Sequence, residues 1–264
     1  MKKSVIIVTI KNRLNHFLKT FPFMVSQYGR SYDLVFVDFH SNDNFQEHLS
    51  KEIEFRKDTF SPFLNKIECV KLLEDFKFNP RKARNLGASY YKDEDVVFIF
   101  SDADVFLGMT YVDFWSDKVK ENKSFAATRT QDTRASAPSR LSPEINYGNF
   151  VVHSRDYFTV NGFDESIGHY GGDDDDIYHR LKLSGLREIN PYDSNEARQY
   201  SILHGDEERL LELEKPQRIK QKEAFNEIYN NIDFFAKNSN FLELQYIKKI
   251  SKILSIYEKN ISNS

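Results

Sequence analysis

The sequence predicts an α/β fold, a mixed and mostly parallel sheet flanked by helices, with a helical extension at its C-terminal end. Three observations carry this. Apolar runs of strand length recur at Ser4–Ile10, Leu34–Phe39 and Asp95–Ser101, segments of helical apolar spacing lie between them, and acidic or turn-forming residues end the second and third runs. A run that is apolar at nearly every position reads as a strand covered on both faces, which is what a parallel sheet requires.

Taken in order, Ser4-Val-Ile-Ile-Val-Thr-Ile10 is the first strand, and residues Asn12 to Gln27 carry Leu14, Phe17, Leu18 and Phe21 at helical spacing. Leu34-Val-Phe-Val-Asp-Phe39 is the next strand and runs into the turn-rich His40-Ser-Asn-Asp-Asn44. Strand, helix, strand is the opening unit of a parallel sheet. Asn79-Pro80 reads as a helix cap with proline at the first helical position, and Ala83, Leu86, Gly87 and Tyr90 share one face of the helix that follows. The run Asp95–Ser101 then delivers Asp102-Ala-Asp104 to the carboxyl edge of the sheet, where open α/β folds bind ligands. Residues Ser124 to Arg140 read as a strand running into a loop, and Tyr147 to His153 as a short strand. Asn161-Gly-Phe163 opens a loop that closes on Gly171-Gly172-Asp173-Asp174-Asp175-Asp176, from which a helix runs through Ile177 and Leu181 to about Gly185. From about Leu211 the pattern is helical, with one stripe at Phe225, Ile228, Tyr229 and Ile232 and another at Ile247, Ile250, Leu254 and Tyr257. The expected organisation is a catalytic domain over 1–210 and a helical extension over 211–264.

Composition narrows the function. The 264 residues hold 37 Lys and Arg against 40 Asp and Glu, a formal charge of −3, so no global basic field is available for a nucleic acid. The single cysteine, Cys69, excludes an internal disulfide and a multi-cysteine zinc site, and it suits a reducing compartment. The apolar stretch Val5–Ile10 is too short for a signal-peptide core, and no segment approaches the roughly 20 apolar residues of a membrane span. A cytoplasmic protein is expected, at most peripheral to the inner face of a membrane.

Few side chains stand out as chemistry. Asp102 and Asp104 could both reach a hard divalent cation if the strand breaks between them; the alternative is an ordinary acidic turn. The run Asp173–Asp176 concentrates like charge that a helix N-terminus or a cation must offset, and capping accounts for part of it at ~0.3–1 kcal/mol per residue. Two preceding glycines allow close backbone approach to a ligand, which capping does not require. His204, in Ser201-Ile-Leu-His-Gly-Asp206, is either a metal ligand or an ordinary histidine. Arg81, Lys82, Arg84 and Asn85 are either a solvated helix face or a base and phosphate contact, and Asp38 and Asp43 share that ambiguity.

The segment Asn161-Gly-Phe-Asp-Glu-Ser-Ile-Gly-His-Tyr-Gly-Gly-Asp-Asp-Asp-Asp-Ile-Tyr-His-Arg-Leu181 resembles the C-terminal signature of the β-1,4-galactosyltransferase family, and it is similar to the equivalent segment of bacterial chondroitin-type polymerases. Phe78–Gly87 resembles the family's nucleotide-side helix, and Asp102-Ala-Asp104 falls at its metal motif; order and spacing agree from about residue 4 to 206. The resemblance implies a GT-A fold, a UDP-sugar donor, a manganese ion with magnesium as the alternative, and inversion at the anomeric carbon. It implies Asp102, Asp104 and His204 as metal ligands and Asp174 as general base. Asp173 would bind sugar hydroxyls, and Asp175 with Tyr170 would hold the acceptor. Asp38, Arg81, Arg84, Asn85 and Gly172 fall on the donor side with Asp102, Asp104 and Asp173.

The chain departs from the family at Tyr170, where the family has tryptophan, and at Ser201, where the animal enzymes tend to have methionine. The animal enzymes also carry an anchor and disulfides, so a bacterial cytoplasmic enzyme is the better match. The expected activity is a hexosyltransferase acting on a saccharide or lipid-linked saccharide in surface-glycan synthesis, galactose or N-acetylgalactosamine being the favoured sugars. Two alternatives compete. A sugar-phosphate nucleotidyltransferase would want a glycine-rich phosphate loop after the first strand, and Lys11-Asn-Arg-Leu-Asn15 has no glycine. A non-catalytic sugar- or metal-binding module would rest on Asp173–Asp176, which lacks the alternating ligands of an EF-hand loop.

Overall fold

The computed structural model describes residues 2–72, 78–132, 146–167, 173–189, 199–202 and 247–249, with the backbone alone at 128–132, 146–148 and 247–249. Val5, Ile6, Ile7 and Val8 are fully shielded from solvent, and their strand, β1 (Lys3–Ile10), lies near the middle of the sheet. The next strands are β2 (Tyr32–Asp38), β3 (Leu64–Leu72) and β4 (Val96–Asp102). β2 and β4 flank β1 and run parallel to it, and β3 lies parallel outside β2. Beyond β4 the direction alternates, since β7 (Asn146–His153) is antiparallel to β4 and β6 (Ser124–Asp132) is antiparallel to β7. Four short strands complete the sheet: β5 (Val105–Leu107), β8 (Arg187–Ile189), β9 (Gln199–Ser201) and β10 (Ile247–Lys249). The order is β10-β3-β2-β1-β4-β7-β6-β9-β5, with β8 beside β6.

Because strand side chains alternate between faces, each apolar strand feeds two cores. Ile6, Val8, Phe36 and Ile99 pack against Phe17 and Phe21 of α1 (Leu14–Met24), Leu49 and Ile53 of α2 (Phe45–Arg56) and Trp115 of α4 (Tyr111–Lys118). On the other face Val5, Ile7, Val35, Val37, Phe98 and Phe100 pack against Ala83 and Leu86 of α3 (Pro80–Ser89), Tyr157 of α5 (Ser154–Thr159) and Ile177 and Leu181 of α6 (Asp173–Leu183). Burying each such side chain contributes ~1.5–3 kcal/mol.

The face that holds α3 and α6 builds the site. The Asn79 side chain accepts from the Arg81 and Lys82 N–H groups at 3.1 and 3.3 Å, which with Pro80 sets where α3 begins. Gly87 sets how closely it lies, since a Cβ there would stand 2.6 Å from Ile7 Cγ2 and 3.1 Å from Val37 Cγ2.

The expected strands, the helix after β1, the capped α3 and the helix from the acidic run are all present. α2 was not legible because its buried stripe is only Phe45, Leu49 and Ile53 and no side chain caps it. β3 carries Lys66, Glu68 and Lys71 among its apolar residues, which hides its alternation. Ile247–Lys249 is a strand antiparallel to β3 rather than the start of a helical stripe, because edge β3 offers backbone groups that pairing satisfies. The rest of the extension expected over 211–264 lies outside the described residues.

Candidate active site at the carboxyl edge of the sheet

β4 ends on Asp102, whose N–H donates to Asn149 Oδ1 at 2.9 Å, so β7 fixes the backbone there. The Asp102 side chain remains 39% exposed. α6 begins on the acidic run and presents Asp173 and Asp174 to the same region from the other side. Between them stands Arg84 of α3. One guanidinium nitrogen lies 3.3 Å from Asp102 Oδ1, and the other lies 3.3 Å from Asp174 Oδ1 and 3.5 Å from Asp173 Oδ2. Arg81 adds a contact of 3.5 Å to Asp173 Oδ1.

Four adjacent acidic residues are thereby divided into different tasks. Asp176 is buried and closed by Arg180, with nitrogen–oxygen distances of 2.5 to 3.1 Å, so it is structural. Asp173 is buried between two arginines. Burial and the neighbouring Asp173 carboxylate push the Asp174 carboxyl up to about 8, against the pull of Arg84. Asp175 is partly exposed, and burial with Asp173 raises its carboxyl too. Asp102, although its side chain is partly exposed, is likewise raised by desolvation, with Arg84 opposing and Asp104 adding to the rise. A carboxyl near 8 exchanges its proton close to neutral pH, which is what a general base needs.

Several expected donor-side residues sit differently. Arg81 and Arg84 are only 4% exposed each and hold carboxylates, so they are not a solvated helix face and offer little surface to a nucleotide. Asn85 is fully buried: its amide donates to the Phe163 carbonyl at 2.9 Å and Glu165 Oε1 at 2.8 Å, and its oxygen accepts from Phe163 N–H at 2.9 Å and Tyr157 O–H at 2.6 Å. With all its hydrogen-bonding capacity used, the Asn85 side chain is a structural hub. Asp38 ends β2 at the same sheet edge but is fully buried; one oxygen accepts Ser41 N–H at 2.9 Å and the other has Lys71 at 4.0 Å. Asp43 caps α1, accepting Leu14 N–H at 2.9 Å.

Tyr170, Gly172 and His204 lie outside the described residues. The backbone just before His204 is described, and it bears on the expected metal set. β9 pairs antiparallel with β5, and Ile202 N–H donates to the Asp104 carbonyl at 2.8 Å, so the chain passes Asp104 two residues before His204. Of the three expected ligands, Asp102 and Asp104 lie within the described residues, and both are oxygen donors at the carboxyl edge of the sheet. Two carboxylates suit a hard divalent cation.

A second acidic group, Asp95, Glu121 and His153, has ligand atoms within 4.8 Å of one another, but at the opposite edge of the sheet. The Lys2 ammonium already fills it, at 3.0 Å from Asp95, 2.7 Å from Glu121 and 2.8 Å from His153 Nε2. Burial, with Lys2 beside it, holds the His153 imidazole below its ordinary value, consistent with a neutral ring accepting from the ammonium.

The sheet, with its acidic carboxyl edge, has the GT-A glycosyltransferase fold. Solved structures alike in fold include the Drosophila β1,4-galactosyltransferase 7, a mutant of it in complex with manganese, UDP-Gal and xylobiose, at 15% identity and a TM-score of 0.51 over 84% of this chain and 79% of that one. S. aureus TarS with UDP-GlcNAc matches at 13% identity and a TM-score of 0.58 over 88% of this chain and 68% of that one. The Pyrobaculum calidifontis mannosyltransferase with GDP-Man and manganese matches at 13% identity and a TM-score of 0.52 over 75% and 56%. A family model described as the N-terminal domain of galactosyltransferase matches residues 134–205, the stretch that holds the acidic run, so the resemblance seen in the sequence is borne out there. No curated protein shows significant sequence similarity to the chain.

Proposed function

We propose that the protein is a metal-dependent, inverting glycosyltransferase that moves a hexose or N-acetylhexosamine, galactose or N-acetylgalactosamine being favoured, from a UDP-sugar to a saccharide hydroxyl. The observation that carries the proposal is the meeting of Asp102 from β4 and Asp174 from α6 on one buried guanidinium. A glycosyl transfer needs one group to manage the leaving diphosphate and another to take a proton. These two carboxylates come from different elements and are available for the two tasks.

Asp102, Asp104 and His204 would hold manganese, with magnesium as the weaker alternative, and the ion would supply charge neutralisation for the departing diphosphate. Asp174 takes the proton of the acceptor hydroxyl as its oxygen bonds to the anomeric carbon and the bond to the UDP oxygen breaks. Asp175, partly exposed one residue on, orients the acceptor, with Tyr170 as the sugar-stacking partner. Asp173 keeps Arg81 and Arg84 in place and reaches sugar hydroxyls only through its 8% exposed carboxylate. Asp38 and Gly172 complete the donor side, Asp38 from the end of β2. A lipid-linked acceptor at the inner face of a bacterial membrane fits a role in surface-glycan synthesis. Among the described residues no helix is long and apolar enough to cross a membrane, so such an acceptor would be met at the surface.

A single displacement inverts the anomeric carbon, so an α-linked UDP-sugar should give a β-linked product. A UDP-release assay with Mn2+ over candidate sugars and acceptors finds the substrate, and proton NMR of the first-formed product reads the anomeric coupling. An α-linked product would remove both the single displacement and Asp174 as base.

A further inference from the structure

We infer that Arg84 is a positioning residue, a buried strut that holds Asp102 and Asp174 at a set separation and is itself held by the Asn161–Phe163 loop. The inference rests on the roles proposed above for those two carboxylates.

Asp102 and Asp174 belong to different elements, and their common described partner is Arg84, whose side chain is only 5% exposed. Its contacts of 3.3 to 3.5 Å are spread over three carboxylates instead of closed on one. A guanidinium used in this way keeps like-charged groups together; a planar fork can bridge them, and a compact ammonium cannot.

The support comes from a motif that no catalytic role uses. Asn161 and Gly162 are consecutive left-handed residues, at φ of 61° and 62°, and the Gly162 N–H donates to the Tyr157 carbonyl at 2.9 Å. This turn brings the Phe163 ring under the guanidinium, with Arg84 Cζ 5.1 Å from the ring centroid. Phe163 is fully buried, and its backbone N–H and carbonyl are both bonded to the side chain of Asn85, the neighbour of Arg84 on α3. The loop is therefore locked to the helix at the residue beside the strut.

Arg84 and a divalent cation would offset the same charge on Asp102, so they should oppose each other in binding while cooperating in turnover. That pairing separates a strut from plain structural damage, which would lower both. The test measures Mn2+ affinity of the nucleotide-free protein by calorimetry, and kcat and KM for the donor, in wild type, Arg84→Gln, Arg84→Lys and Phe163→Leu. Arg84→Gln should bind Mn2+ about tenfold more tightly, because a unit charge near the site is removed. Its kcat should fall by about 10²-fold with donor KM within about twofold, the signature of lost orientation. Arg84→Lys should return Mn2+ affinity toward wild type and recover only part of kcat. Phe163→Leu, which keeps the charge, should lower kcat by about tenfold with Mn2+ affinity unchanged. Weaker Mn2+ binding in Arg84→Gln would reduce the residue to general structural support, and a donor KM that rises in step with the loss of kcat would make it a donor ligand; either result overturns the strut. An unchanged kcat would overturn it as well. A wild type that transfers sugar while the variants match it condemns the strut alone, whereas a wild type that neither binds Mn2+ nor transfers sugar overturns the proposed function and the strut with it.

Discussion

The two ends of the sheet carry the same ingredients and use them differently. At the amino edge Asp95 and Glu121 face Lys2 and Arg155, with His153 neutral, and the closest contacts are 2.7 to 3.0 Å. Charge is balanced and the ammonium sits where a cation would. At the carboxyl edge Asp102, Asp173 and Asp174 crowd onto Arg84, Arg81 reaches Asp173, and these contacts lengthen to 3.3 to 3.5 Å. Asp104 and Asp175 add further negative charge. One edge is a closed electrostatic staple; at the other, among the described residues, three carboxylates share the Arg84 guanidinium and the Asp102 side chain stays partly exposed. An excess of buried like charge costs stability and raises carboxyl pKa values, and such conditions are found at reaction sites.

The largest effect expected from this difference is on turnover. Asp174→Asn keeps the shape and cannot accept a proton, so transfer should fall by ~10²–10⁴ while UDP binding stays near wild type. If Asp173→Asn or Asp175→Asn abolishes transfer and Asp174→Asn does not, the base has been assigned to the wrong member of the run.

The same substitution should reveal the stability cost of the carboxyl edge. With the folded Asp174 carboxyl at about 8 and an unfolded value near ~3.9, the folded state holds one more proton between those limits. Stability therefore falls as pH rises from ~4 toward ~8. In metal-free protein Asp174→Asn should melt higher than wild type at pH 8 and above, and the gap should close at or below ~pH 4, as thermal melts across pH would report. Transfer by the wild type should rise over the upper part of that window as the base ionises. A variant less stable than wild type at high pH would contradict the raised carboxyl.

The smallest effect belongs to the amino edge. Lys2 is 38% exposed, so Lys2→Met should cost no more than ~1 kcal/mol in denaturant unfolding and leave transfer unchanged. Calorimetric titration of the wild type with Mn2+ should show no second site at Asp95, Glu121 and His153. A second site there, or a loss of transfer in Lys2→Met, would erase the distinction between the two edges.

Much of this was legible along the chain, and the reason is local. β1, β2 and β4 are apolar at nearly every position, Asn79-Pro80 announces the start of α3, and the acidic run begins α6 where its own helix dipole favours it. Short-range periodicity and capping suffice for such features, and the resemblance across Asn161–Leu181 pointed to Asp174. The partners of the arginines were not legible. Arg84 meets Asp174 across 90 positions in sequence, and Asn85 meets Phe163 across 78. Nothing in α3 itself distinguishes a solvated basic face from a buried counter-ion. Lys2 reaches His153 across 151 positions, and that contact turns a cluster with metal-binding residues into a staple. The strand at Ile247–Lys249 likewise exists because β3 has an edge to pair. The sequence by itself determined the elements and the acidic residues at their ends, because those follow from neighbours within a few positions. Only the tertiary structure decided which charges are neutralised and which are left for chemistry, because electrostatic energy depends on distance through space and on burial, and neither is a property of spacing along the chain.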